Sequence, residues 1–142
     1  MSILASLRPL AASGLLLAAL AVACGSGDGS AATTAPTDLT ITVWPQGRDT
    51  GGMRRWTLQC NPTGGTHPNA ARACARLASL EAPFRPVPKD AMCTQIYGGP
   101  EEALVTGTFR GRPVRAVFKR TNGCEIARWN RVAALFPISA NA

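Results

Sequence analysis

The side chains in this 142-residue chain with the most distinctive chemistry are five cysteines, one histidine and one adjacent pair of glutamates. Cys60, His67 and Cys74 are soft-ligand types, and a Cys60/His67/Cys74 zinc site is the sharpest reading of them. Their spacing, C-x6-H-x6-C, fits no common zinc pattern, and exported thiols oxidise rather than hold metal. No serine, cysteine or carboxylate forms a triad with His67, the single histidine. Glu101 and Glu102 are neighbours, and neighbours on an extended chain point to opposite faces, so they read as a solvated turn rather than a catalytic dyad. The chain has no glycine-rich phosphate loop. The expectation is a protein that is not an enzyme and uses neither metal nor cofactor.

A different chemistry is carried by Met92-Cys93-Thr94-Gln95-Ile96-Tyr97-Gly98-Gly99-Pro100. Thr94 and Ile96 are β-branched and favour extended backbone. Cys93 can tie the front of the segment to something distant, and Gly98, Gly99 and Pro100 turn the chain away behind it. These features predict a short, exposed, extended loop fixed at one end by a covalent bond. Such a loop is what a protease cleft accepts as substrate. An ordinary surface connection that contains a disulfide fits the same residues.

The compartment decides what the cysteines do. Gly14–Ala23 is an apolar run about half as long as a bilayer span requires, preceded by Arg8 and ending in Ala21-Val22-Ala23. Residues 1–23 read as a signal peptide. Leu20-Ala21-Val22-Ala23-Cys24 resembles a bacterial lipobox, which makes Cys24 a lipidation site and the membrane a partner through that lipid alone. Plain cleavage before Cys24 is the alternative. Residues 24–37, rich in Gly, Ser, Ala and Thr, cannot build a core and read as a flexible tether. The folded domain is expected over 38–137, with 138–142 as a tail. Beyond the membrane Cys60, Cys74, Cys93 and Cys124 are expected to form two disulfides, and four cysteines allow three pairings. The net charge of +7 is spread along the chain with no block of like charges and no aromatic-rich RNA-binding pattern, so no nucleic-acid partner is expected.

The elements follow from periodicity. Asp38–Pro45 alternates, with Leu39, Ile41 and Val43 inward and Thr40 and Thr42 outward, which predicts a strand ended by Pro45 and therefore near an edge. Arg54–Cys60 predicts a second strand paired to it as a hairpin, with Trp56, Leu58 and Cys60 on one face. Pro68 is suited to opening a helix over Asn69–Leu80, in which Ala70, Ala73, Cys74, Leu77 and Ala78 recur at helical spacing. A Cys60–Cys74 bond would staple that helix to the sheet, closing a loop of about 15 residues for about 3 kcal/mol. The proline-rich stretch Pro83–Met92 leads into the loop. Ala103–Phe109 and Arg112–Lys119 predict two more strands around a tight turn at Gly111. A helix begins near Cys124, aligning Ile126, Trp129, Val132 and Ala133, and Leu135-Phe136-Pro137 reads as a closing strand. This order predicts an α+β fold with an antiparallel sheet.

Leu58-x-Cys60-x-Pro62-x-Gly64-Gly65-Thr66-His67-Pro68, then Ala73-Cys74, Met92-Cys93-x-x-x-Tyr97, Gly111-x-x-Val114 and Asn122-x-Cys124-Glu125 resemble the Streptomyces subtilisin inhibitor family, across about 38–137. The resemblance implies pairings Cys60–Cys74 and Cys93–Cys124, a five-stranded antiparallel sheet with two helices, and a homodimer through the sheet. It implies an exported inhibitor of serine proteases whose reactive bond follows the second residue after the loop cysteine, that is Gln95–Ile96. Gln95 is then P1, Thr94 P2, Cys93 P3, Met92 P4, Ile96 P1′ and Tyr97 P2′. Two departures matter. Gly98-Gly99 separates Tyr97 from Pro100 by one residue more than the simplest family loop, which is expected to loosen the primed side. Gln95 is neither a large hydrophobe nor a cation, which favours a broad subtilisin-type pocket over a trypsin-type one. The competing reading is a non-inhibitory cell-envelope binding module on the same scaffold.

Overall fold

The structure is a computed structural model that describes residues 35–138. The expected signal peptide, Cys24, most of the expected tether and residues 139–142 of the expected tail lie outside the described residues.

Four strands form one antiparallel sheet: β1 (Thr37–Trp44), β2 (Arg54–Cys60), β3 (Glu102–Phe109) and β4 (Arg112–Phe118), in the order β2-β1-β3-β4. Strict alternation makes one face of this sheet apolar. Leu39, Ile41, Val43, Leu58, Ala103, Val105 and Phe118 are wholly buried on it. The register stacks them side by side, with Leu39 opposite Leu58 and Ile41 opposite Val105. Helices α1 (Ala70–Ala78) and α2 (Gly123–Arg131) close this face, α1 through Ala73 and Leu77 and α2 through Trp129. Phe136 bridges the layers, its ring 4.5 Å from Trp129 and 5.3 Å from Phe118. Among the described residues no helix or strand packs on the opposite sheet face. It carries Thr40, Leu104, Thr106, Arg115 and Val117, with Thr42 screened by an Arg55 Nε–H that donates to its hydroxyl at 3.4 Å.

Two positive-φ residues, Arg110 at 49° and Gly111 at 77°, make the β3–β4 turn, the backbone that a two-residue hairpin requires. The longer β1–β2 connection contains the 3-10 turn Arg48–Thr50.

The structure corrects several expectations. The sheet has four strands among the described residues, not five. Leu135-Phe136-Pro137 is not a strand, because its donors are spent locally. Leu135 N–H bonds Val132, Phe136 N–H bonds Ala133, and Pro137 has no N–H to give. The 3-10 turn Ala133–Leu135 also rotates Ala133 out to solvent and puts Leu135 in the core. β1 lies inside the sheet rather than near an edge: Pro45 follows its last residue and so removes no ladder donor. Helix α1 is shorter than Asn69–Leu80, with Pro68 two residues before its first turn and Ser79 bonding back to end it.

His67 shows what the Gly64–His67 run is for. Gly64 and His67 bond the outer edge of β2 through Gln59 and Thr57, so this edge is covered. Gly65 sits so close to Thr57 that an added Cβ would overlap its carbonyl oxygen. The His67 ring is 4 % exposed; its Nε2–H donates to the Leu135 carbonyl at 3.2 Å and its Nδ1 accepts from Asn69 N–H at 3.1 Å. Burial pushes its pKa below 6.5, with the bond to the Leu135 carbonyl offsetting part of that. The unfolded chain therefore binds a proton that the folded one resists, so this contribution to stability is present above 6.5 and lost as pH falls through the lowered folded value. The thermal midpoint should fall as pH drops below about 6.5, and His67→Gln should flatten that limb. An unchanged acid limb in the variant would assign it to other groups.

Candidate functional site

Residues 91–99 carry no regular secondary structure, yet they are held at defined points. Cys93 is bonded to Cys124, with Cα atoms 5.3 Å apart. One residue on, the Thr94 carbonyl accepts from Gly123 N–H at 2.9 Å. Beyond the tip, Gly98 N–H donates to the Arg120 carbonyl at 2.7 Å. All three tethers come from Arg120–Cys124, the turn that ends β4 and opens α2. That turn is itself fixed, because the Asn122 side chain caps α2 by accepting from Glu125 N–H at 3.0 Å.

Between the tethers, Gln95-Ile96-Tyr97 form a free arch. Ile96 is 58 % and Tyr97 66 % exposed, Met92 is fully exposed, and Thr94 and Gln95 are exposed as well. Large apolar side chains are held in water here, which costs free energy unless a partner covers them. Cys93 is half-buried by its crosslink. The Gln95 side-chain amide folds back and donates to the Cys93 carbonyl at 3.3 Å.

Two glycines make the close approach possible. An added Cβ at Gly123 would overlap the Thr94 hydroxyl, and one at Gly98 would lie 2.8 Å from Ile126 Cγ1. The expectation that Gly98-Gly99 loosens this end of the loop is therefore corrected at Gly98, whose N–H ties the loop to the Arg120 carbonyl.

The other candidate residues resolve into structure. Cys60 and Cys74 form the second disulfide, with Cα atoms 5.7 Å apart, so their thiols are consumed and the two His67 nitrogens are bonded to backbone. Glu102 pairs with Arg48 at 2.9 Å and Lys119 at 3.4 Å, while Glu101 pairs with Arg120 at 2.9 Å, so the two carboxylates diverge.

Two contributors escaped the sequence reading. Arg120 supports the loop through its backbone carbonyl and its guanidinium, and its position four residues before Cys124 was the only signal. Arg128 is a buried cation that binds the carbonyls of Phe84 and Arg85 in the segment leading to the loop. Its i,i+3 spacing from Glu125 signals their ion pair but not those distant carbonyls.

Fold and loop together define a small disulfide-bonded α+β domain that displays one tethered, exposed loop. Comparison with known proteins gives the family. A family model described as subtilisin inhibitor-like matches residues 19–122. The subtilisin inhibitor of Streptomyces violaceus is 37% identical over 97 residues, covering 63% of this chain and 65% of its own length. A subtilase-type protease inhibitor of Streptomyces coelicolor is 36% identical over 121 residues, covering 83% of this chain and 70% of its own. A solved structure of Streptomyces caespitosus sermetstatin in complex with Bacillus licheniformis subtilisin is 22% identical, with a TM-score of 0.46, covering 72% of this chain and 99% of that one. The chain belongs to the subtilisin inhibitor-like family, a family of protease inhibitors rather than of enzymes.

Proposed function

We propose that the chain is an exported inhibitor of subtilisin-like serine proteases, with Gln95–Ile96 as its reactive bond. One observation carries this reading: the Thr94 carbonyl and the Gly98 N–H are both tied to the Arg120–Cys124 turn, leaving only Gln95-Ile96-Tyr97 free and exposed between them. An arch ordered before docking loses little conformational entropy when it binds. The backbone at Cys93 and Thr94 pairs with the protease as an added strand, and Gln95 and Met92 enter its P1 and P4 pockets. The whole contact is expected to bury about 1,600 Å².

The chemistry is that of a slow substrate. The protease serine oxygen attacks the Gln95 carbonyl carbon, the Gln95–Ile96 C–N bond breaks, and the Ile96 amine leaves with a proton. Release of the cut strands is opposed because the crosslink and the Thr94 bond hold one side and the Gly98 bond the other. The same amine can then attack the acyl carbon, re-form the peptide and return the serine oxygen. Gln95 must first leave the Cys93 carbonyl to enter a pocket. Its amide cannot pair with a carboxylate at a pocket base, which favours a broad, partly apolar pocket despite the desolvation cost.

The test is incubation of the 35–142 domain with a protease panel, with any cut located by mass spectrometry. Subtilisin-type enzymes should be inhibited, with a slow cut between Gln95 and Ile96. Gln95→Lys should shift selectivity toward trypsin-type enzymes by about a hundredfold, with stability unchanged within about 0.5 kcal/mol. Block of trypsin with none of subtilisin, by the unaltered protein, would reject the assigned target. No inhibition and no cut would favour the non-inhibitory envelope module.

Two further features complete the proposal. The uncovered sheet face, where Leu104 pairs with the 39 % exposed Val117, supports a homodimer. Sedimentation at micromolar concentration should give twice the monomer mass, and Val117→Asp should halve it. A diacylated Cys24 would anchor the domain outside the cytoplasmic membrane, and among the described residues no helix is long and apolar enough to cross one. The intact mass of the native protein, set against Cys24→Ala, reads that lipid directly.

A further inference from the structure

The Glu101–Arg120 ion pair lies directly behind the primed side of the loop. Arg120 Nη1 meets Glu101 Oε1 at 2.9 Å, and both side chains are largely shielded, at 26 % and 20 % exposed. The pair joins the two strands that must stay together on this side. Arg120 carries the carbonyl that binds Gly98 N–H, and Glu101 follows Pro100 at the foot of the loop. The Glu101 carboxylate is also packed against Gly99, where an added Cβ would overlap Oε2. Glu101 Oε2 and Arg120 Nε are buried with no hydrogen-bond partner among the described residues, so the Nη1–Oε1 contact is the side-chain bond that holds the two groups.

The two arms of the loop are unequally secured. The non-primed arm is covalently bound through Cys93–Cys124. The primed arm has one backbone bond, at Gly98, and this ion pair. Once the Gln95–Ile96 bond is cut, these two contacts, the packing of Gly98 against Ile126 and the chain beyond Glu101 determine where the Ile96 amine sits. From this we infer that Glu101 and Arg120 are positioning residues for religation: their ion pair holds the primed arm so that the Ile96 amine stays within reach of the Gln95 acyl carbon. In the step they serve, the neutral amine nitrogen bonds to the acyl carbon, the ester bond to the protease serine breaks, and the amine proton passes to the serine oxygen. Neither residue touches the reacting atoms. The inference rests on the reactive-bond assignment above.

The test uses Arg120→Met, Arg120→Lys and Glu101→Gln in the full exported protein, each with and without subtilisin. Cleaved inhibitor is incubated with catalytic subtilisin, and the re-formed Gln95–Ile96 bond is counted by mass spectrometry. Loss of position at this range should slow religation by about ten- to a hundredfold in Arg120→Met. Arg120→Lys, which keeps the charge, should recover much of it. A purely structural role would lower the thermal midpoint without changing the ratio of religation to release. Without protease, amide exchange at Gly98 should speed up in Arg120→Met and Glu101→Gln while exchange at Gly123, on the non-primed side, stays slow. Gly98 exchange and religation at the unaltered level in both variants would overturn the inference. If the unaltered protein is neither cut nor inhibitory, the reactive-bond assignment fails, and Gly98 exchange still decides whether the pair holds the arm.

Discussion

Replacing Cys93 and Cys124 together with alanine should turn the inhibitor into a substrate. The crosslink closes a 31-residue separation, and its loss should cost about 3–4 kcal/mol through the freed unfolded chain. A domain of this size starts with about 5–15 kcal/mol, so the variant should remain folded at room temperature. Its loop, however, would keep only the Thr94–Gly123 bond on the non-primed side. Cleavage at Gln95–Ile96 should then run to completion, because the acyl strand swings away before the amine can return. Removing Cys60 and Cys74 provides the control. That pair closes a 14-residue separation far from the loop and should lower stability by about 3 kcal/mol while leaving slow, reversible cleavage intact. Thermal midpoints and cleavage time courses on the two variants separate stability from mechanism. Equal, rapid hydrolysis of both would mean that the loop depends on global stability and not on its own crosslink.

The loop was legible because its residues carry local signals. A cysteine fixes one end through Cys93–Cys124, Ile96 and Tyr97 stand exposed in the middle, and glycine and proline mark the other end. Strand alternation was equally readable: Leu39, Ile41 and Val43 mark a face through a period that needs no tertiary information. Position within the sheet was not. Pro45 suggested an edge, but whether β1 has one neighbour or two is decided by β3, which lies more than 50 residues downstream. The closing segment misled for a related reason. Leu135 and Phe136 are apolar enough for a strand, and both are buried, but a 3-10 turn buries them as well as a strand would. Gly98 misled in the opposite direction. A glycine reads locally as freedom, whereas here the missing side chain lets the backbone reach Arg120 and pass Ile126. Glycine therefore marks either slack or a tight fit, and only the neighbouring atoms distinguish them.

Arg128→Met should be the most destabilising single substitution outside the apolar core. Its guanidinium, with the side chain 9 % exposed, donates from Nε to the Arg85 carbonyl at 2.8 Å and from Nη1 to the Val117 carbonyl at 2.6 Å. Nη2 reaches the Phe84 carbonyl at 3.5 Å, and the group lies 4.0 Å from the centre of the Phe118 ring. Strand β4, helix α2 and the proline-rich leader thus meet on one cation. The Phe84 ring packs 5.2 Å from Phe109, so the leader is held by both its side chain and its backbone. Methionine fills similar space but strands the carbonyls, at about 1–3 kcal/mol for each that water fails to reach. Since Glu125 is 24 % exposed and can be rehydrated, most of the loss should come from the carbonyls, for a total of about 3–4 kcal/mol. Glu125→Gln should cost under about 1 kcal/mol, because it removes only the ion pair and leaves every carbonyl bonded. Urea unfolding of the two variants tests this ordering, and equal losses would show that the carbonyl bonds contribute little. The effect should reach the loop as well. Phe84 and Arg85 fix where the Pro86–Met92 segment starts, so their release should weaken inhibition through Met92, the proposed P4 side chain, more than through Gln95, whose neighbours are tethered to the Arg120–Cys124 turn. Inhibition constants for Arg128→Met, measured with a P4-dependent and a P4-tolerant protease, should diverge if Arg128 sets the position of that arm and fall together if it only stabilises the fold.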